Sequence, residues 1–370
     1  MDDVDAIAGL VADRRAELLK SPDFPPNLWA AMSDNGLFAL GLPPDADGRG
    51  GTYREIARAA HHLTMVGGVP GVSISWLCHI MNGRLHLARQ GSDTQRRQWL
   101  PRLAAGDSTI CIAISEPGIG THPKYLATRA VRDGDDFIID GEKTYLTNGP
   151  LADLFIVLAV TDEQNGRKAF SAFLVPLATP GVERTSGVSV DFLHPSPHCG
   201  LKLVSCRVSA SNILGQANAG LAEISLPMRA IEDALNTSIL MGCVDAQLNA
   251  VATAWNGADE SGLASFGGLL AKAAALRLQV IKLADELDTD DTGPGRLNGA
   301  SSGFRGWLST FQSELDAFVA AQAVVLSPEM KALRRDLLKM LGIADTAHRT
   351  QATKRAAAYL DSSGHEGTDI

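Results

Sequence analysis

Two short segments of this chain carry groups that could do chemistry together. Residues 111–123 read CIAISEPGIGTHP, where Gly118 and Gly120 flank a turn with Ser115 before it and Thr121 just after. Residues 141–149 read GEKTYLTNG and offer an aromatic, Tyr145, and a hydroxyl, Thr147, two positions apart. In a strand, residues i and i+2 point to the same face. A planar aromatic and a hydrogen-bonding hydroxyl would then sit side by side, which suits a flat polar ring system such as a flavin.

The elements that must position these groups fall into three blocks. Residues 1–108 read as helices. PNLWAAMSDNGL starts on Pro26, suited to a first helical turn, and ends with Gly36 at a C-cap, while Val72–Gln90 reads as a largely buried helix. Residues 109–216 change character: ICIAIS, LFIVLAV, AFSAFLVPL and LKLVSCRVS are short, β-branched or aromatic, and separated by Gly, Asp, Asn or Pro. RDGDD at 132–136 is a hairpin candidate. In residues 217–370 the helical period returns, over Gly220–Ala254, Phe266–Leu287, Phe304–Leu326 and Pro328–Leu360, with TDDTGPGRLNGASSG read as a polar connection. Long helices joined by short loops make an antiparallel bundle.

Composition narrows the function. The 370 residues carry a formal net charge of −9 and no concentrated basic stretch, which disfavours nucleic-acid binding. The five cysteines are scattered, without CxxC or Cys/His ligand spacing, so neither a disulfide framework nor a metal site is expected. His61 and His62 read as a helix pair, and His194 and His198 as part of a Pro-rich surface turn, with a contact to substrate as the other reading. The acidic N-terminus lacks the basic region and apolar core of a signal peptide, and no apolar run approaches the ~20 residues of a membrane span. A soluble, cytoplasmic protein is the expectation.

The order helices, β unit, helical bundle, taken with these segments, resembles the acyl-CoA dehydrogenase family over nearly the whole chain. ISEPGIGT is similar to the family's TEPGxGS, DGEKTYLTNG to NGxKxWITNG, RVSASNILG to RVPxxNxLG, and GSDTQRRQWLPRLAAGD matches the N-terminal lobe. The resemblance implies an α+β fold: a helical N-terminal domain, a middle β-sheet or barrel domain, and a C-terminal antiparallel four-helix bundle. It implies FAD, with Ser115, Gly120 and Thr121 at the flavin ring and pyrophosphate. Tyr145 would lie against the isoalloxazine, where the family usually has tryptophan, and Thr147 would bond its polar edge. It implies α,β-dehydrogenation of an acyl-CoA or acyl-carrier-protein thioester, electron-transfer flavoprotein as acceptor, and a homo- or hetero-oligomer, dimer or tetramer.

For the catalytic base the resemblance offers Glu232, reached by counting back from Gly242 to the family's LER triplet, here Ile231-Glu232-Asp233. A solvent-facing helical glutamate is the other reading of that residue. Asp233 stands where the triplet has arginine, and Ala230 where an aspartate is usual three before it. A negative neighbour would raise the pKa of the base. Glu366, in the terminal HEGT, is the lesser alternative. In SFGGLLAKAAALRLQ the segment RxxFGxxLxxxQ, which implies a reach across a dimer interface to the FAD pyrophosphate, keeps Phe266, Gly267 and Leu270 but has Leu263 for its arginine and Ala274 for its glutamine. Ser362-Ser363 replaces a glycine pair. These departures leave three outcomes: a site shared with a homologous partner, a flavin-dependent monooxygenase of the same fold, or a non-catalytic structural subunit.

Overall fold

The computed structural model describes residues 2–257, 259–289, 294–343 and 345–362. Its N-terminal helices are α1 (Asp2–Asp13), α2 (Arg15–Leu18), α3 (Pro26–Asp34), α4 (Tyr53–Gly67), α5 (Pro70–Met81), α6 (Ala88–Gln90) and α7 (Asp93–Ala104). Local chemistry sets their ends. Thr52 and Glu55 close a reciprocal capping box on α4, which stops at Gly68 in a left-handed conformation. Ser92 and Gln95 do the same for α7, and Pro70 opens α5 at a position where no amide donor is needed. α5 is buried almost all round and runs through a wider turn at Asn82–Leu87 into α6.

The middle lobe is one eight-stranded sheet, ordered β6-β7-β3-β2-β4-β5-β8, with β1 added alongside β4. Its strands are β1 (Ile110–Ala113), β2 (Arg129–Asp133), β3 (Asp136–Thr147), β4 (Leu154–Gln164), β5 (Arg167–Pro176), β6 (Val182–Thr185), β7 (His198–Ser209) and β8 (Ile213–Leu214). The run LFIVLAV is continuous rather than alternating because β4 is buried on both faces. Leu154, Ile156 and Leu158 meet Trp99, Leu100 and Leu103 of α7, while Phe155 and Val157 meet Phe137, Ile139 and Leu201 across the curled sheet. A fully buried side chain such as Phe155 contributes about 1.5–3 kcal/mol. The expected hairpin forms: Asp133 pairs with Asp136 around Gly134, which takes a left-handed φ of 63°.

The C-terminal bundle holds α8 (Leu226–Ala254), α9 (Glu260–Leu287), α10 (Pro294–Ala321), α11 (Pro328–Gly342) and α12 (Asp345–Ser362), with α8 packed on α9, α10 and α11. Gly242 lets α8 cross α4 closely, since a Cβ there would stand 2.7 Å from the His61 carbonyl oxygen. Together these layers are the helical N-lobe, sheet and helical bundle that the resemblance implies.

Three expectations need correction. The segment read as a polar connection is helical from Pro294, because Leu297, Ser301, Phe304, Leu308 and Phe311 fall on one buried stripe. β3 is not a regular strand at the chemically interesting end. Tyr145 has a left-handed φ of 57° and the register with β7 shifts between Lys143 and Leu146, so Lys143 and Thr144 are both buried. Finally, α9 is long and apolar enough, by length and composition alone, to cross a membrane. In the fold, its Leu269, Ala273, Leu276 and Val280 are buried in the bundle, and Lys272 and Arg277 pair with Glu314 and Asp245 on the neighbouring helices.

Candidate active site

The two segments singled out by their side chains are bound to each other. The Thr144 amide donates to the Ser115 carbonyl at 2.9 Å. Lys143 Nζ lies 2.8 Å from Glu116 Oε1 and 3.1 Å from the Ile114 carbonyl, with its side chain fully buried. Glu116 also accepts from the amides of Ala127 and Thr128. Burial pushes the Glu116 carboxyl up, but the Lys143 charge and these hydrogen bonds outweigh it and hold it below the usual carboxylate range. Burial of the ammonium pulls Lys143 down to about 8 against the opposing pull of Glu116.

The loop above this clamp closes tightly. Glu116 and Gly120 exchange both backbone hydrogen bonds, and Gly118 and Gly120 take φ values of 75° and 62°. No atom lies within 4 Å of where a Cβ would stand on either glycine, so the loop borders open space. Thr121 is exposed and Ser115 partly so. The bulge at Tyr145 turns its ring outward to 52 % exposure, high for a large aromatic, while Leu146 is buried and Thr147 half-buried. Tyr145 thus reaches the surface through a left-handed residue rather than through strand alternation.

Thr147 is paired across the sheet with His198. Its hydroxyl lies 3.0 Å from His198 Nε2, and His198 Nδ1 lies 3.1 Å from the Ser196 carbonyl. α5 underlies the same corner: the Ser75 carbonyl accepts from Asn148 Nδ2 at 2.7 Å and the Ser75 hydroxyl donates to that of Ser196 at 3.0 Å.

One turn along α5 from Ser75 is Cys78, a rise of about 4.5 Å. Glu232 on α8 stands close enough to add to the burial that raises the Cys78 thiol. Some of the Glu232 surface is open, yet protein surrounds the carboxyl. Burial first, then the charge of Asp233, raises its pKa to about 7, against the opposing pull of Arg229 and Arg305. No hydrogen bond or ion pair engages its carboxylate among the described residues, whereas Asp233 faces Arg305 at 3.7 Å. A helical glutamate turned to solvent would not be raised in this way. Cys78, whose thiol feels the Glu232 charge, thus lies one turn of α5 from the Ser75 carbonyl that binds Asn148, the residue after Thr147.

Phe266 is elsewhere in the chain. It stacks on Phe318 and lies 5.7 Å from Trp255 at one end of the bundle. Leu263, one turn before it, is 54 % exposed, and Ala274 is exposed. Ser363 and Glu366 lie outside the described residues. A cavity of about 660 Å³ lies apart from this site, between α1, α4 and α9, where Arg49, Arg54, Arg58 and Arg277 rim an apolar floor. It touches none of Glu232, Tyr145 and Thr147.

The residues present fit the ring half of a flavin: an open glycine loop, an outward aromatic and a half-buried hydroxyl. The face of α9 that would meet a diphosphate tail offers Leu263 and Ala274 instead of a cation and an amide. Cys78 and the Glu116–Lys143 pair were not legible as site residues, and His198 was legible only as a surface-turn histidine with substrate contact as its other reading. A lone glutamate in ISEPGIGT and a lysine in GEKTYLTNG were the hint of the Glu116–Lys143 pair. The partnership of His198 with Thr147 depends on a strand pairing across 51 residues.

The acyl-CoA dehydrogenase N-terminal domain family matches residues 5–107 and the acyl-CoA dehydrogenase middle domain family matches residues 111–209. A 3-(aryl)acrylate reductase of Clostridium sporogenes is 29 % identical over 204 residues, 55 % of this chain and 54 % of its own length. The short-chain specific acyl-CoA dehydrogenase of Rattus norvegicus mitochondria is 33 % identical over 210 residues, 55 % of this chain and 49 % of its own. The chain thus spans about half the length of the curated relatives it matches. A glutaryl-CoA dehydrogenase from Mycobacterium smegmatis, solved in complex with FADH2, shares the fold with a TM-score of 0.78 and 22 % identity, over 97 % of this chain and 95 % of its own.

Proposed function

The chain belongs to the acyl-CoA dehydrogenase family, and from that membership we propose that it is an FAD-dependent oxidoreductase removing hydrogen across the α,β bond of an acyl thioester, as one subunit of an oligomer. The observation that carries the proposal is Glu232, an enclosed carboxylate raised to about 7, with no hydrogen bond or ion pair among the described residues. Its charge reaches Cys78, one turn of α5 from the Ser75 that binds Asn148. A general base works best with a pKa near the operating pH, where it is largely ionised and still basic enough to take a proton.

When bound, FAD supplies the acceptor for the hydride that leaves the β-carbon. This chain's residues do the rest. Tyr145 offers its ring as a stacking surface and Thr147 a polar contact at the ring edge. Ser115, Gly120 and Thr121 present the loop that the ring and pyrophosphate approach, and the Lys143–Glu116 pair holds that loop to β3. Glu232 receives the α-proton on its carboxylate, made acidic by the adjoining thioester carbonyl. The enclosure that raises its pKa also keeps water from the carbanionic carbon. The neighbour solved with FADH2 supports FAD as the flavin. The substrate is a thioester of coenzyme A or of an acyl carrier protein, with electron-transfer flavoprotein taking the electrons, in cytoplasmic fatty acid metabolism.

The oligomer is argued from α9. Leu263, Leu270 and Leu278 are exposed along its outer side, together with Trp307 of α10, an apolar face suited to another chain. Across that face Phe266's helix would serve a neighbour's cofactor tail, but Leu263 and Ala274 cannot hold a diphosphate. A homologous partner with the missing cation therefore completes the site better than a second copy. Flavin content after purification tests this. Substoichiometric FAD in the chain alone and full occupancy on co-expression with a homologous chain is the expected pair. Full occupancy in the chain alone would contradict the shared site, and no flavin in either case would remove the flavin reading.

A further inference from the structure

His198 opens β7 directly opposite Thr147 on β3. Its Nδ1 faces the Ser196 carbonyl at 3.1 Å, and a carbonyl oxygen can only accept, so Nδ1 carries the ring proton. Burial, reinforced by His194 and only partly offset by the Ser196 bond, keeps this imidazole below its ordinary range and so neutral at pH 7. Nε2, 3.0 Å from the Thr147 hydroxyl, is then an acceptor, and the hydroxyl must donate to it. The single Thr147 proton is committed inward. What the hydroxyl offers outward is lone pairs.

The support behind His198 is firm. The Ser196 amide donates to the Leu193 carbonyl at 2.8 Å, the Asn148 amide to the Pro197 carbonyl at 2.9 Å, and the Leu193 amide to Asp336 Oδ2 at 3.0 Å. With Ser75 bonded to Ser196, both α5 and α11 hold the turn that fixes the imidazole. Such outer partners set which tautomer a histidine presents.

We propose that His198 is a positioning residue that fixes the hydrogen-bond polarity of Thr147, making this hydroxyl an acceptor toward the ring edge it serves and so favouring reduced over oxidised flavin. The proposal rests on the flavin reading above. An oxidised isoalloxazine presents a lone pair at N5 and calls for a donor, whereas the reduced ring carries hydrogen there and calls for an acceptor. Hydrogen bonds to ring nitrogens are among the means by which a protein tunes a cofactor. Free of His198, the Thr147 hydroxyl could turn its proton outward and satisfy the oxidised ring instead.

The test uses the full-length chain loaded with FAD. In His198→Phe, the affinity for reduced relative to oxidised FAD should fall about tenfold, the scale of one hydrogen bond, which for a two-electron couple lowers the potential by about 30 mV. His198→Asn, whose amide can still donate to Ser196 without reaching Thr147, should show the same fall and covers the case in which the phenylalanine variant does not fold. In a Thr147→Val background neither substitution should move the potential, and Thr147→Ser should restore the effect. Nitrogen NMR of the flavin-free chain should show His198 protonated on Nδ1. An unchanged potential in the histidine variants, or an Nε2–H tautomer, overturns the proposal while leaving the flavin reading intact. A chain that takes up FAD in neither oxidation state, alone or co-expressed with a homologous chain, overturns both.

Discussion

Lys143 Nζ and Glu116 Oε1 meet at 2.8 Å beneath the candidate flavin loop, with both side chains buried. The pair joins the two motifs whose outer residues would face the ring. Two desolvated charges seldom add much net stability over an apolar pair, but each is costly to leave alone. Its consequence is positional: the backbone of Ser115 and that of Thr144 stay within one hydrogen bond.

Lys143→Met should therefore be severe, because it strands Glu116 buried and uncompensated. A loss of about 3–5 kcal/mol is the scale for breaking such a pair. The double variant Lys143→Met, Glu116→Gln should recover a good part of it. Urea denaturation of the variants measures both, and a single variant as stable as the parent would mean that the pair does not clamp the loop.

The raised pKa of Glu232 has a sign that can be checked. In the unfolded chain this carboxyl releases its proton near its ordinary value, and in the folded chain only at about 7. Between those values the folded state binds more protons, so this contribution to stability is complete below the ordinary carboxylate pKa and is lost as pH rises through about 7. Glu232→Gln, which cannot ionise, should be more stable than the parent at pH 8 by roughly 1–3 kcal/mol and nearly equal to it at pH 4. Thermal unfolding at the two pH values decides it. Catalysis runs the other way, rising with pH through about 7 as the base ionises.

Gly149 closes the second motif where a side chain has no room. A Cβ there would stand 2.5 Å from Cys199 Sγ and 2.9 Å from the Leu146 carbonyl oxygen. Gly149→Ala should cost about 1–3 kcal/mol by overpacking. Cys199→Ala in the same chain should relieve only part of it, because the backbone contact remains. Denaturant midpoints of the three variants would show this order, and full relief would place the strain in the thiol alone.

If α9 lacks only the tail contacts, restoring them should restore grip. Leu263→Arg with Ala274→Gln should raise FAD retention by the isolated chain about tenfold or more, since a charge-assisted hydrogen bond contributes about 1.5–3 kcal/mol. Equilibrium dialysis reads the change. No gain would mean that α9 does not approach the cofactor tail in an assembly of this chain with itself.

The layered fold was legible because its signals are local and repeated: the buried runs of β4 and β5, the capped helices, and the long helical periods after Gly220. The start of α10 was not, since glycine and serine in GPGRLNGASSG mask a stripe set by Leu297 and Phe304. At the site, spacing singled out Tyr145 and Thr147, but the left-handed backbone that turns Tyr145 outward could not be read from it. Glu232 was reached by resemblance, and its tuning could not be read in full. Asp233 is adjacent in sequence, but the burial of the carboxyl, which contributes most, is set by the packing of the fold. His198 looked like part of a surface turn because the strand that makes it a partner of Thr147 lies far away in sequence.

The most direct measurement is an anaerobic titration of the flavin-loaded protein with acyl-CoA thioesters, followed by the bleaching of the flavin bands. The parent protein should bleach with at least one thioester, and Glu232→Gln should hold the same flavin and stay yellow with all of them. Equal bleaching of the variant would contradict Glu232 as the base. A parent inert to every thioester yet reactive with oxygen once reduced would contradict the dehydrogenase itself in favour of a monooxygenase.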